Sequence, residues 1–130
     1  MNVLVPIGDV AAYFDLPIST LHYWERRGLI TTQRRSGRRC YDLEQRHRIA
    51  LIQLWRDTGL LSLDDIAVVL AGCATTHHWR ETVTARLSAM EDRISQLGIA
   101  RDYLTHILNC PSDNPATDCP ELRAQVAGPS

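Results

Sequence analysis

Apolar residues recur at helical spacing from near the start of the chain. Ile7, Val10, Ala11 and Phe14 share one face, so residues 6–14 are expected to form a helix. Residues 1–5 are apolar without a period and are expected to be irregular. Asp15-Leu16-Pro17 reads as a turn. A second helix is expected from about Ser19 to Arg27, with Leu21 and either Trp24 or Glu25 turned inward. Gly28 follows as its stop, because glycine reaches the left-handed C-terminal conformation most cheaply. Two short helices across a tight turn make a helix-turn-helix.

Beyond it the period is lost over TTQRRSGRRCY, residues 31–41. Ser36-Gly37 between two arginine pairs has the composition of a tight hairpin, a wing with a basic tip, in preference to a flexible basic loop. Asp42 with Gln45 forms a capping-box pattern and opens a third helix whose apolar face is Ile49, Ile52, Leu54 and Trp55. Ser62 with Asp65 opens a fourth, residues 62–71, stopped at Gly72. Cys73 to Trp79 is a junction.

Residues 80–108 are expected as one long helix. Val83, Leu87, Met90, Ile94 and Leu97 step by four and three, and Arg101, Leu104 and Leu108 keep the register. This is a heptad seam with one charged position. About thirty residues of helix extend on the order of 45 Å, beyond any core this chain can build, so the seam is expected to pair with a second copy as a coiled coil. The predicted class is mainly α: a winged helix-turn-helix followed by a long dimerisation helix. Residues 1–72 are expected as the DNA-binding domain with two accessory helices, 73–109 as the dimerisation helix, and 110–130 as a cysteine loop and tail.

Charge sharpens this picture. The net charge of −1 hides an asymmetry: residues 1–60 hold nine arginines and six acids, residues 61–130 five arginines and nine acids. The chain has no lysine, so every strongly basic contact is a guanidinium fork, which suits phosphate and base edges. Arginines and aromatics on TLHYWERRGLI, residues 20–30, point to a helix that lies on a nucleic-acid backbone. No signal peptide and no membrane-spanning run are recognised, so a cytoplasmic protein is expected. No carboxylate pair, nucleophile–base set or phosphate loop is present, and an enzyme is not expected.

IGDVA (7–11), TLHYWERRGLI, GRRCY (37–41) and GLLSLDDI (59–66), in this order and spacing, resemble the MerR family of bacterial transcription regulators. The resemblance implies a dimer on double-stranded promoter DNA, held by a long antiparallel helix. Inducer binding would kink and untwist an over-long spacer so that RNA polymerase engages both promoter elements, a control through deformation energy. With the 130 residues leaving no space for a separate ligand domain, a small inducer is expected. Residues expected at DNA are Ser19, Thr20, His22, Tyr23 and Arg26 on the second helix, with Arg34, Arg35, Arg38, Arg39 and Tyr41 on the wing. The family usually has arginine where this chain has His22, and commonly tyrosine where it has Arg38; Arg39 and Tyr41 match the family's Arg-x-Tyr. His22 is therefore the position expected to alter base preference.

Cys110 and Cys119 lie where metal-sensing members of the family carry ligands, and CPSDNPATDCP resembles the copper(I)-responsive loop, one residue longer. Two thiolates in a proline-stiffened loop suit a soft ion such as Cu(I), Ag(I) or Au(I). Thr75 or Thr76 falls where divalent sensors place a third cysteine, yet Cys73, His77 and His78 are close by. A three-thiolate site of Cys73, Cys110 and Cys119 with a histidine would instead suit Zn(II), Cd(II), Hg(II) or Pb(II). The plainer alternatives are a buried helix-end thiol for Cys73, a solvated junction for His77-His78, and a redox-sensing pair for Cys110 and Cys119. Cys40 is expected as a small packing residue. A dimeric adaptor that does not touch DNA is the remaining alternative.

Overall fold

The computed structural model describes residues 3–72, 78–111 and 113–127. The order of elements is β1 (Val5–Pro6), α1 (Ile7–Phe14), α2 (Ile18–Arg26), β2 (Gln33–Arg35), β3 (Arg38–Tyr41), α3 (Leu43–Asp57), α4 (Leu63–Ala71), α5 (His78–Leu108), α6 (Pro115–Asp118) and α7 (Pro120–Gln125). The fold is mainly helical: a winged helix-turn-helix followed by a long helix. It divides into two compact units, Met1–Arg86 and Leu87–Ser130.

In the first unit, local chemistry sets each boundary. Asp15 ends α1 in the left-handed region at φ 53°, and the Leu16 N–H donates to the Ala11 carbonyl at 2.9 Å. Gly28 takes φ 74° just past α2, and the Leu29 N–H donates to the Trp24 carbonyl at 3.0 Å. This is the wrap that lets Leu29 and Ile30 turn back into the core. Ser36 and Gly37 both have positive φ, 53° and 76°, the pair that a two-residue hairpin turn requires. The hairpin registers Arg35 with Arg38, Arg34 with Arg39 and Gln33 with Cys40.

The sheet has a third strand that the pattern of residues 1–5 does not predict. Val5 pairs with Tyr41 and Pro6 with Cys40, giving the order β1-β3-β2. Val5 is therefore ordered by tertiary pairing and not by a period of its own. Proline is tolerated there because the strand is an edge.

The core joins α1, α2, β3, α3 and α4 through Val10, Leu21, Trp24, Tyr41, Ile49, Ile52 and Ile66, each almost fully buried. Leu54, expected on the apolar face of α3, is instead 52% exposed; Trp55 packs against the core in its place. The Asp42 cap forms as expected, accepting from the Gln45 N–H at 2.9 Å. The return half of the box does not, because the Gln45 side chain accepts from the Thr31 N–H at 2.8 Å and ties the wing to α3. Ser62 caps α4 through the Asp65 N–H at 3.1 Å.

The long helix starts two residues earlier than expected and takes in Trp79. Along its seam Val83 and Met90 are half-buried, whereas Leu87, Ile94, Leu97, Leu104 and Leu108 are exposed, Leu108 by 86%. The helix ends at Leu108, before Pro111, and two short helices follow, each opened by a proline. Among the described residues no helix is long and apolar enough to cross a membrane.

The core assignment predicts opposite outcomes for two leucines. Leu21→Ala is expected to lower the unfolding free energy by about 2–5 kcal/mol through lost burial and a residual cavity. Leu54→Ala is expected to stay within roughly 0.5 kcal/mol of wild type. Urea unfolding followed by circular dichroism measures both, and similar losses would contradict the packing described.

Candidate nucleic-acid interface

The rotation of α2 follows from its two buried residues. Leu21 and Trp24 face the core, which turns Ser19, Tyr23 and Arg26 outward, with His22 half-buried at the margin and Thr20 half-buried on the other side. Tyr23 organises two arginines. Arg26 and Arg27 both place their guanidinium carbons 5.7 Å from the centre of its ring. Arg27 Nη1 donates to the Tyr23 hydroxyl at 2.9 Å, and Arg27 Nη2 pairs with Asp64 of α4. The hydroxyl contact, with the Asp64 charge adding to it, holds the Arg27 guanidinium protonated beyond its ordinary range.

Glu25 joins α2 to the wing. One of its oxygens accepts from the Thr32 hydroxyl at 2.8 Å, the other from Arg39 Nε at 3.0 Å. Beside this contact His22, Glu25, Arg26 and Arg39 line a polar cleft of about 500 Å³. At the wing tip Arg34 Nη1 reaches the Gly37 carbonyl at 3.4 Å. Arg35 and Arg38 are exposed, and their side chains make no hydrogen bond or ion pair among the described residues.

The basic cluster thus divides. Arg26, Arg34, Arg35 and Arg38 point their charge to solvent. Other arginines hold the fold: Arg46 donates to the Val3 and Asp42 carbonyls at 3.2 and 3.3 Å, and Arg48 to the Leu29 carbonyl at 3.0 Å. Arg56 lies over the Trp24 ring at 5.3 Å and pairs with Asp57. Sequence spacing does not separate the two groups, because decisive partners such as Val3 for Arg46 and Leu29 for Arg48 are distant in the chain. Arg27 was not among the expected contact residues, yet it sits in the same patch.

In the second unit, Cys110 and Cys119 line one cleft of about 370 Å³, together with His106, Asn109, Asp118 and Glu121. Cys119 is 4% exposed and Cys110 half-buried; neither is in a disulfide. His106 Nε2 pairs with Glu121 at 2.6 Å, and Arg123 Nε donates to the Thr117 carbonyl at 2.6 Å, folding α6 and α7 around the thiols. Among the described residues no group of three or more His, Cys, Asp or Glu side chains is placed to hold a metal ion. Cys73 and His77 lie outside the described residues; His78 opens α5, and its side chain also lies outside them. Cys40 is buried in the wing, as a packing residue would be.

Residues 5–73, more than half of the chain, match the MerR HTH family of regulatory proteins. The chain belongs to that family. Nodulation protein NolA of Bradyrhizobium diazoefficiens is 28% identical over 130 residues, which cover 93% of this chain and 54% of NolA. NolA of Bradyrhizobium elkanii is 26% identical, covering 93% and 59%. The chain therefore spans little more than half the length of these relatives. The HTH-type transcriptional regulator HmrR of Rhizobium leguminosarum bv. viciae is 27% identical over 121 residues, covering 89% of this chain and 93% of HmrR. The fold resembles that of HiNmlR, a MerR family regulator lacking the sensor domain whose crystal structure is bound to promoter DNA. The TM-score is 0.59 at 20% identity, over 88% of this chain and 95% of HiNmlR.

For this MerR-family chain one expected contact residue is corrected. Tyr41, expected at the DNA with the wing arginines, is fully buried, and its hydroxyl has no hydrogen-bond partner among the described residues. A side chain with no solvent-facing atom cannot reach a phosphate. Burial pushes its pKa up to about 12, with the Glu25 carboxylate adding to the effect and Arg39 partly offsetting it. Arg39 remains half-exposed, but its Nε is committed to Glu25.

Tyr41→Phe removes an unpaired buried hydroxyl and is expected to raise the unfolding free energy by about 1 kcal/mol or leave it unchanged. DNA affinity is expected to stay at the wild-type value. Because the folded-state pKa is raised, the wild-type contribution is intact below the ordinary value of 10 and is lost as pH rises toward about 12. Denaturant titrations across that window should show a downward slope that the phenylalanine variant lacks.

Proposed function

We propose that this chain is a homodimeric MerR-family transcription regulator that lays α2 and the wing tip on promoter DNA and responds to a soft metal ion at Cys110 and Cys119. DNA binding by a MerR-family regulator is the general part of this statement, and the family match supports it. The observation that carries the DNA-facing surface is the set of uncommitted guanidiniums. Arg26 on α2 and Arg35 and Arg38 at the wing tip form no ion pair among the described residues, so binding phosphate breaks no internal salt bridge. The HiNmlR structure is a MerR regulator bound to promoter DNA, which favours the same partner here.

The exposed apolar seam of α5 supports the homodimer, since leucines and isoleucines at heptad positions gain their stabilisation from a partner helix. In this scheme residues 1–72 contact DNA, 73–109 pair the two copies and 110–130 receive the effector. RNA polymerase at the promoter is the partner that the distorted DNA serves.

The thiol cleft fits a two-coordinate soft ion. It brings two sulfurs to one cavity, the donor set such an ion takes. Cu(I), Ag(I) and Au(I) accept two thiolates, whereas Zn(II), Cd(II) and Pb(II) sites generally recruit more donors. When bound, the ion would supply the bond that draws the two thiolates together; Cys110 and Cys119 lose their protons to hold it.

Two measurements test these claims. In gel shifts against a duplex selected by the wild-type chain, Arg35→Ala and Arg38→Ala are each expected to weaken binding at all sequences and lower the salt-dependence slope by about one. Unchanged slopes in both variants would remove the wing tip from the interface. Under anaerobic reducing conditions the wild-type chain is expected to bind one Ag(I) per cleft, and Cys110→Ser to lose that high-affinity binding. Retained binding in the variant refutes the two-thiolate site, and binding absent from wild type leaves thiol oxidation as the switch.

A further inference from the structure

Asp64 and Asp65 are neighbours in the first turn of α4, and they serve two different helices. Successive residues are separated by about 100° around a helix, so the two carboxylates leave α4 in different directions. Asp64 pairs with Arg27, which lies one residue beyond α2, and Arg27 in turn donates to the Tyr23 hydroxyl at 2.9 Å. Asp65 Oδ2 accepts from both Nε and Nη2 of Arg86 on α5, at 3.1 and 2.8 Å. The turn between the two contacts is fixed, because Ser62 Oγ accepts from the Asp65 N–H and the Ser62 carbonyl from the Ile66 N–H at 2.9 Å.

The chemistry of each contact suits a linkage. Burial alone would raise the Asp65 carboxyl, but the Arg86 guanidinium and the Ser62 hydroxyl together outweigh it and hold the group below its ordinary pKa. The Tyr23 hydroxyl is used by Arg27 only as an acceptor, which leaves its own proton to donate outward. The direction of that proton depends on where Arg27 sits, and Asp64 fixes one arm of the Arg27 fork.

We propose that Asp64 and Asp65 are positioning residues that set the orientation of Tyr23 at the DNA-facing surface from the position of Arg86 on α5. This rests on the reading of α2 as a DNA contact. A displacement of Arg86 pulls on the first turn of α4 through Asp65, and Asp64 carries it to Arg27 and the Tyr23 ring. Neither acid touches DNA in this scheme, and each transmits only while the other is present.

Non-additivity tests it. A duplex is selected by the wild-type chain from a random pool, and its dissociation constant is measured for Arg86→Gln, Asp64→Asn and the double variant at one salt concentration. Each single change is expected to weaken binding roughly three- to tenfold, and the double variant to bind no more weakly than the worse single. Losses that multiply independently overturn the proposal. Asp64→Glu, which keeps the charge, is expected to restore most of the affinity that Asp64→Asn loses.

The Arg27 Nε–Hε resonance in the free protein gives a readout that needs no DNA. It is expected to move in Arg86→Gln, a residue that pairs with Asp65 and not with Arg27, and to be insensitive to Arg86→Gln once Asp64 is asparagine. A resonance that ignores Arg86→Gln in the wild-type background overturns the coupling. A wild-type chain that selects no duplex overturns the DNA reading instead, while the resonance comparison still decides the linkage.

Discussion

Leu21 and Trp24 lie three residues apart on α2, and burying both fixes the rotation of that helix. An α-helix with a single anchor can roll; two anchors on neighbouring turns leave it only a narrow range. The outward face then follows, with Ser19, Tyr23 and Arg26 side by side and His22 at the margin. Gly28 makes this possible at the other end, because the left-handed residue lets Leu29 and Ile30 re-enter the same core. The surface offered to a partner is thus a by-product of how the apolar residues pack.

A second constraint is the use of guanidinium groups for two jobs. Every strong base in this chain is arginine, and the first unit needs several of them as internal fasteners. Glu25 takes Arg39, Asp64 takes Arg27, and backbone carbonyls take Arg46 and Arg48. Only those left over keep every guanidinium N–H free of such internal contacts. A patch that looks uniformly basic therefore contains both structural and available charges, and the outward-facing ones concentrate at the wing tip and at Arg26.

The helix-turn-helix, the wing turn and the long helix were legible because their signals are local. Ser36-Gly37 carries its own preference for positive φ, Asp42 and Ser62 carry their caps, and the α5 seam carries its period. Tyr41 was misplaced because β3 does not alternate cleanly: Cys40 and Tyr41 are adjacent and both buried. Strand β1 was missed because two residues, one of them proline, have no period; only pairing with β3 makes them a strand. Leu54 sat at the edge of a helical stripe, where spacing alone does not decide exposure. The division of the arginines depends on partners such as Asp64, 37 residues from Arg27, which no window along the chain contains.

The three-stranded sheet is closed to growth on both sides. Its β1 edge is two residues long and includes Pro6, which has no N–H to offer an incoming strand. Its β2 edge carries Arg34 and Arg35, so a second copy approaching in the same way would bring like charges together. Strand pairing between molecules, a common route by which small sheets aggregate, is thereby disfavoured at both edges.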